Sequence, residues 1–125
     1  MRYFLVTVVI VLVTYGQLII KYEVNRMGAV PLGNIKEAIG YGFSALTSLY
    51  ILSGLLAAAF AALAWIAALS RYELSSVYPL LSLNFVLVPL LSVHFFGESM
   101  DAFKLVGAAI IVFGVFVFSA SAWLN

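Results

Sequence analysis

Cysteine is absent from this 125-residue chain and histidine occurs once, at His94. Disulfides and thiolate chemistry are excluded, as is a metal site built on clustered Cys and His ligands, and no cofactor is expected. Charge is scarce too: 9% of residues are charged, the net charge is +1 and there is no basic patch, which argues against a nucleic-acid partner. There is no glycine-rich phosphate loop of the P-loop type, so the chain does not itself hydrolyse ATP. No apolar run holds a pair of acids, and a single interfacial histidine cannot complete a Ser, His and acid set. No catalytic residue is assigned, and the chain does not read as an enzyme.

What the sequence has in abundance is hydrocarbon, with 66% hydrophobic residues, far outside the soluble range. Runs long enough to cross a bilayer cover residues 3–20, 43–69, 77–96 and 103–123. The fold class expected is an all-α membrane protein, residues 1–125 forming one domain of four transmembrane helices in an up-and-down bundle. Arg2 and the apolar run behind it read as a retained first span, since no small-residue cleavage site follows. Residues 21–42 form the one sizeable loop, in which Asn34 and Glu37 resemble a capping box and predict a short interfacial helix over 35–39. Gly40 and Gly42 then permit a bend into the second span. The remaining connections, 70–76 and 97–102, are short enough to make consecutive spans antiparallel neighbours, with both termini on one side.

Orientation is weakly specified. Arg2 and Arg71 lie on one face against Lys21, Arg26, Lys36 and Lys104 on the other, and Lys21 sits close enough to the first span to belong to the membrane. Insertion in both directions, and an antiparallel dimer built from oppositely inserted copies, are compatible with that balance. Small residues mark two helices: Gly54, Ala58 and Ala62 at four-residue spacing, and Gly107, Gly114 and Ser121 at seven. Small side chains let helix backbones approach closely in lipid. The first set reads equally as packing within the subunit or between subunits, and the second as a dimer seam.

The third span is the most informative, because VYPLLSLNFVLVPLLSVHFFGE carries polar groups and two prolines that a plain anchor would not need. Backbone groups freed by proline must find partners in protein or in a wet cavity, so the helix reads as the wall of a pathway. Ser75, Tyr78 and Ser82 form one polar stripe, with Asn84 about 200° round from Ser82 on an α-helix. Asn84 suits a contact with a neighbouring helix or with the carbonyl freed by Pro89. His94 and Glu98 read as interfacial and helix-start residues. On the first span Gln17 and Lys21 share a face. Burying a charge at the bilayer centre costs at least about 2.5–3.5 kcal/mol, so an inward lysine is a functional candidate. Two readings stand: Lys21 snorkels to the headgroups, or it faces a groove and meets an anionic phosphate beside Gln17.

The run YPLLSLNFVLVPLLSVHFFGE, continuing through SMDAFKLVGAAIIVFGV, resembles the second half of an EamA-type repeat of the drug/metabolite transporter superfamily. With GQLIIK in the first span, it is similar in particular to the small subunits of aminoarabinose-phosphoundecaprenol flippases. The small multidrug resistance family has the same length and span count, but its coupling glutamate would fall at or near Val13, and no acid occurs between Met1 and Ile20. The resemblance implies movement of a polyprenyl-phosphate-linked sugar, of the undecaprenyl type, between leaflets of the bacterial cytoplasmic membrane. It implies that Lys21 and Gln17 hold the phosphate while Tyr78, Ser82 and Asn84 contact the sugar and membrane lipids surround the tail. Two subunits would complete the groove, as a homodimer or as a heterodimer with a paralogue. Cation or drug antiport coupled to another acid, and a non-transporting scaffold for a glycosyltransferase, are the alternatives.

Overall fold

The first apolar run folds as one continuous helix, α1 (Phe4–Met27), which continues seven residues past the end of the hydrophobic run at Ile20. In lipid a backbone satisfies its polar groups only within itself, and nothing in this stretch interrupts the ladder until Gly28. Gly28 takes a positive φ of 89° and its N–H bonds back to the Val24 carbonyl at 2.9 Å, a glycine stop just past the last turn. The computed structural model describes the backbone of residues 4–124 and the side chains of residues 4–120.

A second helix, α2 (Ile35–Thr47), begins where Asn34 predicts. The Asn34 side chain accepts from the Lys36 N–H at 2.9 Å. The helix is not confined to 35–39. It runs through Gly40 and Gly42, which make no bend, and stops only at Ser48, whose extended backbone (φ −73°, ψ 130°) separates it from α3 (Leu49–Leu69). Exposed Ile35, Ile39, Phe43 and Leu46 lie along one side of α2, and none of its residues is buried.

Helices α1 and α3 form the tightest seam. Val6, Val9, Ile10, Thr14, Gly16 and Glu23 are buried on α1, and Ile51, Gly54, Ala57, Ala61 and Ala68 on α3. A methyl group on Gly16 would stand 3.0 Å from the Gly54 carbonyl oxygen, and one on Gly54 would stand 2.8 Å from Ile19 Cγ2 and 2.9 Å from Ile20 Cγ1. Glycine at both positions is what lets the two backbones meet. Of the spaced small residues read from sequence, Gly54 packs in this seam, whereas Ala58 and Ala62 are exposed.

The third span is broken. One turn, α4 (Leu74–Val77), passes into a 3-10 segment over Tyr78–Leu83 and then into α5 (Asn84–Phe96), which contains Pro89. The helical ladder runs through the Tyr78 N–H, which bonds to the Leu74 carbonyl, and Pro79, without an N–H, interrupts it as the 3-10 segment begins. Gly97, with φ 67°, ends α5, and its N–H bonds to the Val93 carbonyl at 3.1 Å. The last span, α6 (Ala102–Leu124), is capped by Asp101, which accepts from the Lys104 N–H at 2.9 Å.

Among the described residues, four helical stretches are long and apolar enough to cross a membrane: Phe4–Met27, Leu49–Leu69, Leu74–Phe96 and Ala102–Ala120. They alternate in direction, and residues near the start of α1 and the end of α6 line one recess, so both ends of the chain lie at one end of the bundle. A small core at that end joins Val6, Ile10, Ala68 and Val77. Phe103, Phe113 and Phe116 on α6 are exposed, as expected of side chains that face lipid. The chain is an all-α integral membrane protein.

Candidate functional site

Charge collects where α1 ends and α6 begins. Lys21 lies on the outer side of α1, and its ammonium stands 3.9 Å from a carboxylate oxygen of Glu98, in the turn between α5 and α6. Both side chains are about half exposed, at 46% and 45%. Gln17, one turn back on the same face, is exposed as well.

Two residues further along α1, on the opposite side, Glu23 is buried with 6% exposure. Its carboxylate accepts from the Ser48 hydroxyl at 2.8 Å and faces Arg26 at 3.7 Å. The Arg26 guanidinium in turn lies 5.5 Å from the centre of the Tyr50 ring, which Tyr22 meets edge-on. The carboxylate therefore ties the end of α1 to the break between α2 and α3. The apolar run ends at Ile20, which by sequence alone puts Glu23 in the following loop. The signal was present: Val9, Gly16 and Glu23 recur at seven-residue spacing on the buried stripe, and Arg26 followed by Gly28 marks a helix end.

The third-span residues lie at other depths. Thr14 donates its hydroxyl to Asn84 Oδ1 at 2.9 Å, so Asn84 links α5 to α1 at mid-height. Tyr78 is 61% exposed at the far end, its ring edge-on to Trp65 with centroids 6.2 Å apart. The Ser82 hydroxyl is turned inward to the Pro79 carbonyl. Leu80, Leu81 and Leu83 pack against the core that contains Val6. From Val6 to Lys21 along α1 is about 22 Å at 1.5 Å per residue. Lys21 and Gln17 thus form one group, Tyr78 and Ser82 a second near the opposite end, and Asn84 stands between them. The structure does not gather the five into one pocket.

Between α5 and α6 lies a cleft of about 500 Å³, walled by Phe85, Pro89, Val93 and Ile111, with Glu98, Ser99 and Lys104 toward its charged end. The Lys104 ammonium donates to the Ser99 carbonyl at 3.1 Å. Gly107 lines this cleft, and a methyl group on Gly107 or Gly114 would meet nothing within 4 Å. The third residue of that series, Ser121, lies outside the described side chains. His94 is exposed near the end of α5 with its ring edge-on to Phe95. Among the described residues no group of three His, Cys, Asp or Glu is placed to hold a metal ion.

A bundle with a charged pair at one end, an open cleft between its last two helices and a proline-broken third span has the parts of a membrane transporter. Residues 4–120 match the EamA-like transporter family. A protein of Pectobacterium atrosepticum, named as a probable 4-amino-4-deoxy-L-arabinose-phosphoundecaprenol flippase subunit ArnE, is 35% identical over 94% of this chain and 96% of its own length. A Yersinia enterocolitica protein named as the ArnF subunit of such a flippase is 34% identical over 86% of this chain and 85% of its own length. A Pseudomonas aeruginosa ArnE is 44% identical over a shorter stretch, 54% of this chain and 59% of its own length. No solved structure matches the chain. Match and architecture agree along almost the whole sequence, and the chain belongs to the EamA-like transporter family.

Proposed function

We propose that the chain is a flippase subunit that moves an undecaprenyl-phosphate-linked aminosugar between leaflets of the bacterial cytoplasmic membrane. The observation that carries this is the end-to-end correspondence with a relative named as such a subunit, 94% of one chain against 96% of the other. A shared motif would support only a shared superfamily; agreement over every span supports a shared task. The role is transport rather than catalysis.

In this reading the Lys21 ammonium takes the phosphate, with the exposed Gln17 amide beside it. Lys21 is held only by a long, half-exposed ion pair and is free to exchange partners. Tyr78 and Ser82, about 20 Å away along the bundle, serve the cargo at the opposite leaflet, and Asn84 stands on the path between. The polyprenyl tail remains in lipid throughout. A four-helix subunit with an open α5–α6 cleft encloses no headgroup alone, so a second subunit, a paralogue or another copy seated on the Gly107 and Gly114 face of α6, completes the passage. The resemblance to both ArnE and ArnF subunits supports the paralogue. Antiport of cations draws less support, because Glu23, the acid on the first helix, is engaged by Ser48 and Arg26.

The test is reconstitution in liposomes, alone and with a second small subunit, followed by leaflet exchange of the lipid-linked sugar. Wild type exchanges the lipid, and Lys21→Ala abolishes exchange while assembly is retained. Normal exchange by Lys21→Ala sinks the assignment of the phosphate to Lys21. Lipid that stays on its original side with wild type, alone and paired, makes the chain a scaffold.

A further inference from the structure

The ion pair between Lys21 and Glu98 presents two opposite charges side by side, both about half exposed, at a separation of 3.9 Å. A surface pair of this kind contributes only about 0–1 kcal/mol, so opening it costs little. Its setting is unusual for a surface pair, because apolar recesses lie on either side. Glu98 lines the charged end of the α5–α6 cleft of about 500 Å³. A second recess of about 340 Å³ runs between α1 and the end of α5, lined by Tyr15, Leu18, Tyr22 and Phe95. Charge at the rim and hydrocarbon beside it is the pattern of a lipid with a polar head.

The other charged groups at this end are already occupied or differently placed. Glu23 is buried against Ser48 and Arg26, Asp101 caps α6, Lys104 holds the Ser99 carbonyl, and Lys36 and Glu37 lie side by side in the first turn of α2. That leaves Lys21 and Glu98 as an exposed cation and an exposed anion next to each other.

We propose that this pair reads a zwitterionic headgroup, with Lys21 receiving a phosphodiester and Glu98 receiving an ammonium carried by the attached group. The inference rests on the flippase reading and deepens it, since it makes a positive charge on the sugar a condition of recognition. When such a headgroup arrives, each side chain exchanges one opposite charge for another, and neither is left unpaired once the bound headgroup shields it from water. A phosphate-linked sugar without an amine satisfies Lys21 but strips Glu98 of its partner. The pair therefore selects against neutral sugars as well as for charged ones. Phosphatidylethanolamine carries the same two charges, so the source of the headgroup has to be separated by experiment.

The test uses the full chain in uncharged dodecyl maltoside micelles, with two probes: undecaprenyl phosphate bearing 4-amino-4-deoxyarabinose, and the same lipid with a hydroxyl in place of the amine. Wild type binds the amine lipid about tenfold more tightly, the size expected of one charge-assisted contact. In Glu98→Gln that preference disappears while the hydroxyl lipid still binds, and in Lys21→Gln both lipids weaken by about tenfold. A preference that persists in Glu98→Gln overturns the proposal and leaves the flippase reading standing. A wild type that binds neither lipid overturns both. Repeating the measurement in micelles containing phosphatidylethanolamine separates the sources: an unchanged preference supports an aminosugar cargo, and its loss assigns the pair to bulk lipid and overturns that role.

Discussion

The two halves of this chain use glycine in opposite ways. Between α1 and α3, Gly16 and Gly54 bring the backbones so close that any added carbon meets a neighbour at about van der Waals contact or nearer. Between α5 and α6, Gly107 borders a cleft of about 500 Å³ and has open space around it. Small residues in a membrane helix therefore do not by themselves identify a packed seam. The first half is a closed unit, tied further by Glu23 and Ser48, while the second half leaves open space between its helices.

Gly54→Leu is the substitution that breaks this contrast most severely. Four extra carbons in a seam with no room displace Ile19 and Ile20, and a loss of about 3 kcal/mol or more is expected in unfolding from mixed micelles. Next comes Glu23→Ala, which leaves the Ser48 hydroxyl and Arg26 without their partner and costs about 1–3 kcal/mol. Ser48→Ala shares that loss, so the double variant should fall well short of the sum, and full additivity would show that the two do not act together. Gly107→Ala is expected to change subunit stability by less than about 0.5 kcal/mol, since nothing in the subunit lies against it. If the α6 glycines form the seam with a second subunit, the same substitution weakens association measured by cross-linking. A large drop in subunit stability would erase the difference between the halves.

The number and rough position of the spans were legible because hydropathy over about 20 residues is a strong signal. The limits of the elements were not. Lys21 looked like the edge of the first span, yet the helix continues to Met27 and carries Glu23 into a buried position. Gly40 and Gly42 looked like a bend, but glycine costs a helix only about 1 kcal/mol each, and α2 runs through both. The spacing of Gly54, Ala58 and Ala62 does not trace the α1–α3 seam beyond Gly54. Steps of four residues drift about 40° per step on an α-helix, so the stripe leaves the seam, whereas Gly54, Ala57 and Ala61 alternate steps of three and four and stay in it. At the candidate site, Lys21 was visible as a lone cation near an apolar run. Its pairing with Glu98 was not, because the two meet only through the antiparallel return of α5. The mid-height bond between Thr14 and Asn84 likewise joins residues seventy positions apart.

The 3-10 segment Tyr78–Leu83 is wound more tightly and drawn out further than an α-helix of the same six residues. Six residues rise about 12 Å as a 3-10 helix and about 9 Å as an α-helix, and the change of winding turns one end against the other by about 120°. Rewinding this stretch would draw α4 about 3 Å toward the bilayer centre and swing Tyr78 by a third of a turn relative to Asn84, without breaking the chain's other helices. The third span thus carries a screw thread between Tyr78 and Asn84.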